Sequence, residues 1–308
     1  MSSRGPLISV IIPTFNKAQF IEEAVESVLG QSYRNLEIIV VDDGSTDNTR
    51  DVLKKYQNNI AYISQNNNGP SAARNYGIRT ARADHIAFLD SDDVWFPEKL
   101  EAQMEVMSRN QTIGLVGCGA YTIDSEGRIE KEHISKEYST RQEFLRDLQT
   151  RKISFNPSIV LVKRACMDRV GGFKDGLHYG EDWDLWLRIA KHYEIEFIRK
   201  ALVKVRKYDG DRPYQQVQIM KSNIHRIISD NLNEEGWRIR APLYGVLYLD
   251  LAGICLKRNR RGMAILYALG SLLSYPLKLA RADYRFKLVI EALLPHFLYS
   301  ALKRIREK

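Results

Sequence analysis

Cysteine is scarce in this chain of 308 residues, and its three copies, Cys118, Cys166 and Cys255, are widely separated. No Cys-x-x-Cys pair occurs, so the sequence indicates neither a disulfide framework nor a cysteine zinc site, and a reducing compartment is expected. The apolar run near the N-terminus is too short for the core of a signal peptide, and no cleavage pattern follows it. These absences together predict a cytoplasmic protein.

The fingerprints of several nucleotide-dependent enzymes are also missing. No GxGxxG follows the first strand-like run, which argues against a dinucleotide dehydrogenase, and no GxxxxGK[ST] occurs, which argues against a P-loop NTPase. None of the six histidines stands in HExxH spacing, so no histidine metal ligand is assigned. No apolar run reaches the ~20 residues that a membrane-spanning helix needs.

Excess positive charge is absent from most of the chain. The net charge is +8, but residues 211–308 hold 17 Lys and Arg against 8 Asp and Glu, so the first 210 residues carry −1. The basic character therefore indicates a partner surface in the C-terminal third rather than a property of the active site. No RNA- or DNA-binding motif accompanies it, so we expect no nucleic-acid partner.

Strand-like and helix-like segments alternate over roughly the first 95 residues. Apolar runs predict strands at residues 7–13, 36–41, 60–64 and 85–89, and helical patterns separate them. Such alternation predicts a mainly parallel sheet with helices on both faces, and these sheets bind ligands at the carboxyl ends of their strands. Further strands are expected at residues 113–121, 155–162 and 201–208.

Two of the predicted strands end in carboxylates. Asp42 and Asp43 follow the second strand, and Asp90, Asp92 and Asp93 follow the fourth. Two like charges ~4 Å apart repel by roughly 4 kcal/mol at an effective dielectric of ~20, and a cation would relieve that cost. All-oxygen ligands suit Mg²⁺ or Mn²⁺. The alternative is a solvated Asp-rich turn that caps the next helix.

Four stretches of this sequence resemble, in order and spacing, the family-2 glycosyltransferases with the GT-A fold. They are PLISVIIPTFN…VVDDGSTDNT, NNNGPSAARNYGI, FLDSDD and GEDWDLWLR. The resemblance covers residues 7–208. It implies a GT-A α/β fold, with a Rossmann-like mixed, mainly parallel sheet, and transfer of a sugar from a nucleotide-diphosphate donor with inversion, assisted by a divalent metal. The QxxRW signature of processive synthases is absent, so a non-processive enzyme is expected.

The resemblance implies a donor site around the first strands. Asp43 would accept a hydrogen bond from a uracil N–H, and Pro13 and Thr14 could line the base pocket. Arg74, in the first turns of the helix after Gly69, would contact the nucleotide. Each residue has a structural alternative: a helix cap for Asp43, a simple turn for residues 13–14 and a surface salt bridge for Arg74.

The acidic cluster matches the family's DxD signature. The resemblance implies that one carboxylate bonds the ribose, so Asp90 and Asp92 are predicted donor ligands. It also implies that Asp92 and Asp93 reach the metal that bridges the diphosphate. A divalent ion there would neutralise the charge that develops on a departing nucleoside diphosphate.

The base for the reaction is predicted in the GEDWD segment. Acids at a helix N-terminus are favoured by the dipole alone, yet the reaction needs one ionised carboxylate to accept the acceptor's proton. The resemblance points to Asp182 as that base, with Glu181 in support and Asp184 structural. Trp183 could stack on an acceptor sugar or be a core aromatic. Tyr208 stands where many relatives have a histidine and is a second tentative acceptor or diphosphate contact.

The C-terminal third is predicted to be helical and separate. Residues 1–210 would form the catalytic domain, and residues 211–308 a basic, amphipathic region. Apolar runs at residues 244–256 and 262–277, bordered by Lys and Arg, suit an interfacial helix on an anionic membrane. The alternative is a helical subdomain or a homodimer interface.

The sequence thus predicts a metal-assisted, inverting hexosyl- or N-acetylhexosaminyltransferase. Its donor would be a nucleotide sugar, with UDP favoured, and its acceptor a glycan or a lipid-linked glycan in cell-surface polysaccharide synthesis. It would be cytoplasmic or peripheral on the cytoplasmic face of the membrane. The rivals are a sugar-phosphate nucleotidylyltransferase and a non-catalytic sugar-nucleotide-binding or membrane-scaffolding protein.

Overall fold

The computed structural model describes residues 5–138, 140–207, 217–258 and 260–274. The chain divides into two compact units. The first comprises Met1–Leu145 and Ile153–Gly210, and the second comprises Arg146–Lys152 and Asp211–Lys308. The predicted assignment of catalysis to residues 1–210 and of a partner surface to residues 211–308 stays a prediction.

A sheet flanked by helices forms the first unit. Its described strands are β1 (Ile8–Thr14), β2 (Leu36–Asp42), β3 (Ile60–Ser64), β4 (His85–Phe88), β5 (Val94–Trp95), β6 (Ile113–Ile123), β7 (Ile129–His133), β8 (Leu161–Lys163) and β9 (Glu194–Arg206). The helices of the unit are α1 (Ile21–Leu29), α2 (Thr49–Leu53), α3 (Pro70–Thr80), α4 (Lys99–Arg109), α5 (Arg141–Gln149, which continues into the second unit), α6 (Arg164–Val170) and α7 (Glu181–Ala190).

The strands lie in the order β3-β2-β1-β4-β8-β6-β9-β5, and β7 pairs with β6. The four N-terminal strands are parallel to one another, as is the long β6–β9 pair. The shorter pairs that involve β5, β7 and β8 are antiparallel. This arrangement confirms the predicted α/β fold with a mixed, mainly parallel sheet.

Close packing of α3 on β1 brings the start of that helix to the carboxyl end of the sheet. All seven residues of β1 are buried, as expected for a continuous apolar run covered on both faces. Gly77 of α3 lies directly on Ile11, because a Cβ at this glycine would come within 2.4 Å of the isoleucine Cγ2. The helix therefore approaches β1 more closely than a larger residue would allow.

Two predicted strands differ from the structure. In place of a strand over residues 155–162, Pro157–Ile159 form a 3-10 turn that leads into the short β8. Pro157 has no N–H to donate to a sheet ladder, which accounts for the turn. The last predicted strand begins earlier, at Glu194, because its polar first half pairs in parallel with β6.

Helices α8 (Val217–Leu232), α9 (Trp237–Lys257) and α10 (Arg261–Ser274) belong to the second unit and confirm the predicted helical C-terminal region. In α10 and α9, Tyr267 stacks on Tyr248, and Ser271 Oγ donates to the Gly245 carbonyl at 2.7 Å. In the described part of the chain, one segment, Ile239–Leu256 of α9, has the length and composition of a membrane span. No apolar run in the sequence predicted such a segment, and 44% of it is buried within the protein.

Candidate functional site

The parallel strands bring their polar carboxyl ends to one edge of the sheet. Thr14 at the end of β1 pairs with Asp42 at the end of β2, and the Asp43 N–H donates to the Thr14 carbonyl at 2.8 Å. Pro13, one residue earlier, is buried opposite Val41. The predicted base-pocket residues therefore lie beside Asp43, as the parallel register requires.

Arg74 joins three elements at this edge. It lies in the second turn of α3 and is only 4% exposed. Its Nη2 is 2.7 Å from Asp90 Oδ1 and its Nη1 is 3.2 Å from Glu181 Oε1. The guanidinium also lies over the Phe173 ring, 5.2 Å from its centroid. The structure thus brings together a predicted donor ligand and a predicted catalytic acid that are far apart in the sequence.

Electrostatics hold this arginine charged. Burial alone would lower the pKa of Arg74, but the charges of Asp90, Glu181 and Asp182 more than offset it, and the pKa lies above its ordinary value. The contribution of Asp182 means that its carboxylate is close enough to act on the same cation. Glu181 and Asp182 of the GEDWD segment therefore belong to one electrostatic network with Asp90.

Three buried polar atoms at this edge have no hydrogen-bond partner in the described structure: Thr14 Oγ1, Ser71 Oγ and Arg74 Nε. Two of them belong to residues that the sequence predicted as donor contacts. Buried polar groups are nearly always satisfied in native proteins. These three atoms can still form hydrogen bonds, so this edge of the sheet is a place where a polar ligand could bind to them.

The three acids after β4 have different environments. Asp92 Oδ2 accepts from Lys17 Nζ at 2.6 Å, and both Asp90 and Asp92 remain partly exposed. Asp93 is 2% exposed; its Oδ1 accepts from the Arg206 backbone N–H at 2.9 Å and its Oδ2 from Asn156 Nδ2 at 3.3 Å. Burial, followed by the neighbouring charges of Asp90 and Asp92, raises the pKa of Asp93 well above its ordinary value.

These environments decide which acids fit a metal. Asp90 and Asp92 offer partly exposed carboxylate oxygens, the ligands that hard divalent cations prefer. No group of three or more His, Cys, Asp or Glu side chains suited to a metal occurs among the described residues. This is compatible with Mg²⁺ or Mn²⁺, which one or two carboxylates can hold when substrate phosphates supply further oxygens. The predicted metal role of Asp93 stays a prediction, and its inward-facing side chain favours a structural role.

Asp43 organises the loop before α3. Its Oδ1 accepts from Gln65 Nε2 at 2.7 Å and from the Asn68 N–H at 2.9 Å, and its Oδ2 accepts from the Gly69 N–H at 2.8 Å. A carboxylate has about four acceptor positions, so about one remains. Gly69 adopts φ +88°, a conformation that favours glycine, and α3 begins directly after it. The structural and the ligand-binding interpretations of Asp43 are therefore compatible.

Helix α7 presents the predicted base. It begins after Gly180, whose φ of +77° lies in the left-handed region, and Glu181, Asp182 and Asp184 occupy its first turn. Asp182 Oδ1 accepts from the Trp183 N–H at 2.7 Å. Asp184, by contrast, is fully buried and paired with Lys174 and Arg188. The burial and pairing of Asp184 favour its predicted structural role.

The structure describes one of the two residues predicted as tentative acceptor contacts, Trp183, but not the other, Tyr208. Trp183 is 3% exposed, so its ring is a core aromatic in this structure and offers no open face to a sugar. Tyr208 lies outside the described residues. Both assignments stay predictions, and the burial of Trp183 favours the core alternative for that residue.

Two cations at the site, Lys17 and Arg206, were not predicted from the sequence. Lys17 pairs with Asp92, and Arg206, at the end of β9, donates from Nε to the Asp92 carbonyl at 3.1 Å. The Arg206 guanidinium also pairs with Glu23 and lies 4.7 Å from the Phe20 ring centroid. Lys17 follows the first strand end by three residues, a position where a cation facing the acidic strand end could have been suspected. No local signal marks Arg206, because its partners come from distant segments.

A family model and related sequences both identify this chain as similar to glycosyltransferases. A family model described as Glycosyl transferase family 2 matches residues 9–168. An uncharacterized glycosyltransferase of Rickettsia typhi is 32% identical over 216 residues, 67% of this chain and 65% of that protein. A Bacillus subtilis glycosyltransferase assigned to teichuronic acid biosynthesis, TuaG, is 45% identical over 112 residues, 35% of this chain and 44% of that protein. The chain thus spans less than two-thirds of the length of these relatives.

Solved structures share the fold. The crystal structure of Staphylococcus aureus TarS 1-349 has a TM-score of 0.64 at 21% identity and covers 92% of this chain and 88% of its own; the same protein in complex with UDP has a TM-score of 0.62. The mannosyltransferase PcManGT of Pyrobaculum calidifontis, in complex with GDP-Man and Mn²⁺, has a TM-score of 0.56 at 20% identity and covers 93% and 86%. At such identities the similarity establishes the fold alone.

Proposed function

Because the chain belongs to glycosyl transferase family 2, we propose that it is an inverting, non-processive glycosyltransferase. It moves a hexose or N-acetylhexosamine from a nucleotide-diphosphate sugar to a hydroxyl of a glycan or lipid-linked acceptor. The observation that carries the proposal is Arg74, which pairs with Asp90 on one side and with Glu181, next to Asp182, on the other. One buried cation thereby joins Asp90, a proposed donor ligand, to the segment that carries the proposed base.

The proposed reaction is a single displacement at the anomeric carbon of the donor sugar. The acceptor oxygen attacks the anomeric carbon on the face opposite the diphosphate, and its proton passes to the Asp182 carboxylate. The bond from the anomeric carbon to the diphosphate oxygen breaks, and the nucleoside diphosphate leaves with the electron pair. A carboxylate positioned beside the attacking hydroxyl acts as the general base by accepting this proton. Attack opposite the leaving group inverts the anomeric centre.

The leaving group gains negative charge as that bond breaks. A divalent cation bound by Asp92, with Asp90 beside it, would neutralise this charge and orient the diphosphate. Lys17, which now pairs with Asp92, places a second cation at the same carboxylate. Support for a metal comes from the chemistry of these oxygens and from the fold shared with a mannosyltransferase crystallised with Mn²⁺.

UDP is the proposed nucleotide. The acceptor position that remains on Asp43 can take the N–H of a uracil ring, and TarS, with the same fold, has been crystallised with UDP. Polysaccharide synthesis is the proposed context, since a relative is assigned to teichuronic acid biosynthesis. The proposed location is the cytoplasm, with the acceptor either free or carried by a membrane lipid.

Calorimetric binding of UDP, GDP and dTDP, with and without Mn²⁺, tests the donor site. We expect UDP to bind best and only with metal, and Asp92→Asn to weaken that binding by at least about tenfold because a metal ligand is lost. Asp51→Asn is the matched control, because Asp51 is an exposed acid on α2. Absence of nucleotide binding with metal present, or equal loss in the control, would contradict the proposal. Release of pyrophosphate from UTP and a sugar phosphate would support the nucleotidylyltransferase instead.

A further inference from the structure

Exposed apolar side chains concentrate on one helix of the second unit. Eight large hydrophobic side chains of the described residues are exposed, and four of them lie on α10: Met263, Leu266, Leu269 and Leu273. Leu266 is 64% exposed and Leu273 83% exposed. A contiguous exposed apolar patch of this kind marks an interaction surface, whereas single exposed side chains do not.

The four side chains share one face of α10, called here the apolar stripe. Their spacing of three, three and four residues places them within about a third of the helix circumference. The small residues Ala264, Ala268 and Ser271 are buried on the other side of the helix. Since that side packs against α9, through Ser271 to Gly245 and Tyr267 to Tyr248, the apolar stripe is additional to the core of the unit.

Positive charge borders the apolar stripe. Arg258 caps the end of α9, Arg260 precedes α10 and Arg261 begins it, and the arginine side chain at 260 is exposed. Between Asp250 and Asp283 the sequence has six Lys or Arg and no Asp or Glu. The helix N-terminus adds its own partial positive charge at the same end. A partner must therefore offer both an apolar phase and negative charge.

Charge distinguishes between the candidate occupants of the stripe. A second copy of the stripe would bring no carboxylate to these arginines, since residues 261–274 contain no Asp or Glu, and residues 275–308, with eight Lys or Arg against three Asp or Glu, are also positive. Like charges brought together at an interface are unfavourable. A bilayer that contains anionic lipids supplies acyl chains for the leucines and phosphates for the arginines in the same layer.

We propose that the apolar stripe of α10, with Arg258, Arg260 and Arg261, docks the protein on the surface of an anionic membrane. The helix lies in the plane of the interface, with its leucines among the acyl chains and its arginines at the head groups. This attachment involves none of the proposed catalytic residues, so it stands whether or not the chain transfers a sugar.

Co-sedimentation of the full chain with vesicles tests the proposal. The probes are vesicles of phosphatidylcholine alone and vesicles with about 30% phosphatidylglycerol. We expect at least about tenfold tighter binding to the anionic vesicles, and weaker binding as salt screens the charges. The double variant Leu266→Glu/Leu273→Glu should lower anionic binding by at least about tenfold, and Arg260→Glu by several-fold.

Two matched controls keep the outcome interpretable. Ile129→Glu makes the same kind of change at an exposed apolar residue of β7, and Lys131→Glu reverses an exposed charge on that strand. Both should bind vesicles as the wild type does. Equal binding to neutral vesicles, no binding to either kind, or equal loss in the controls would overturn the proposal. So would a dimer, measured by light scattering, that the Leu266→Glu/Leu273→Glu variant dissociates.

Discussion

Two buried cations of the first unit, Arg74 and Lys99, have opposite surroundings. Arg74 is paired with the carboxylates of Asp90 and Glu181. Lys99 is 0% exposed, and its Nζ is 2.8 Å from the amide oxygen of Gln103 and 3.8 Å from the centroid of the Trp95 ring. The pKa of Arg74 is raised by its acidic neighbours, whereas burial lowers the pKa of Lys99 to about 7.

The contrast shows how one protein interior treats two charges. Where carboxylates converge, the cation stays charged and orders them, as proposed substrate binding at that edge requires. Where the amine meets an amide, an indole and the Cys118 thiol but no carboxylate among the described residues, burial lowers its pKa. Arginine suits the first position because it holds its proton and bonds two acids with a planar fork, and lysine suits the second because its pKa shifts readily.

Asp182→Asn gives the largest expected effect and tests whether the acids around Arg74 serve chemistry. Loss of a general base should lower the rate of sugar transfer by about 10²- to 10⁴-fold, while UDP binding stays within about twofold. Steady-state transfer assays and calorimetry on the same preparation measure both. Asp168→Asn, at an exposed acid of α6, is the control and should retain full transfer. Parallel loss of binding and transfer would count against the assignment of the base.

Arg74→Met removes the buried cation that is paired with carboxylates. It leaves Asp90 and Glu181 without their shared cation. Removal of one partner from a buried ion pair costs about 3 kcal/mol at the low end of the known range. We use the low end of the range because Asp90 and Glu181 are partly exposed, so water stabilises their charges in the variant. Urea denaturation measures the free energy of unfolding. Tighter binding of a divalent metal by the variant would further support a shared acidic site.

The exposed pair of Arg109 and Glu105 on α4 provides the control for Arg74→Met. Both side chains are mostly exposed, so Arg109→Met should change the free energy of unfolding by less than about 0.5 kcal/mol. A similar loss in the two arginine variants would mean that burial and convergence of charge do not account for the stability at the site.

Much of this contrast follows from local sequence, but its decisive contacts do not. The strand ends, the acidic cluster and the start of α3 all carry signals in the residues themselves, because turn chemistry and hydrophobic period act over a few positions. The pairing of Arg74 with Glu181, by contrast, joins residues 107 positions apart. A single sequence does not distinguish an arginine in a surface salt bridge from one in a buried salt bridge at the site.

Burial of polar residues was the other property that the sequence did not reveal. Asp93 and Asp92 are adjacent in a run of acids, yet one faces inward because the Arg206 backbone and Asn156 meet it. Trp183, next to the predicted base, is buried among core residues of α7. Lys99 begins a helix after Pro97 and Glu98, where a solvated lysine is the ordinary expectation. Each outcome depends on which distant segment covers the residue.

Lys99→Met tests the other buried cation, the one without a carboxylate partner. We expect a smaller effect on the free energy of unfolding, and one that depends on pH. In the unfolded chain the amine keeps its ordinary pKa of 10.5, and in the folded protein burial lowers that pKa to about 7. Below pH 7 both states hold the proton, and the folded state bears the full cost of a buried charge. Between pH 7 and 10.5 the unfolded state binds more protons, so the stability of the wild type rises with pH.

The variant lacks this titration, so the difference between the two proteins isolates Lys99. We expect Lys99→Met to be the more stable protein at pH 6, and its advantage to shrink by about 1.4 kcal/mol between pH 6 and pH 8. The nearby Cys118 thiol, whose pKa burial raises to about 11, stays protonated throughout. Urea unfolding at both pH values measures the gap, and Lys131→Met on exposed β7 should show no such change. A gap that does not vary with pH would mean that Lys99 keeps its charge in the core, which would remove the contrast with Arg74.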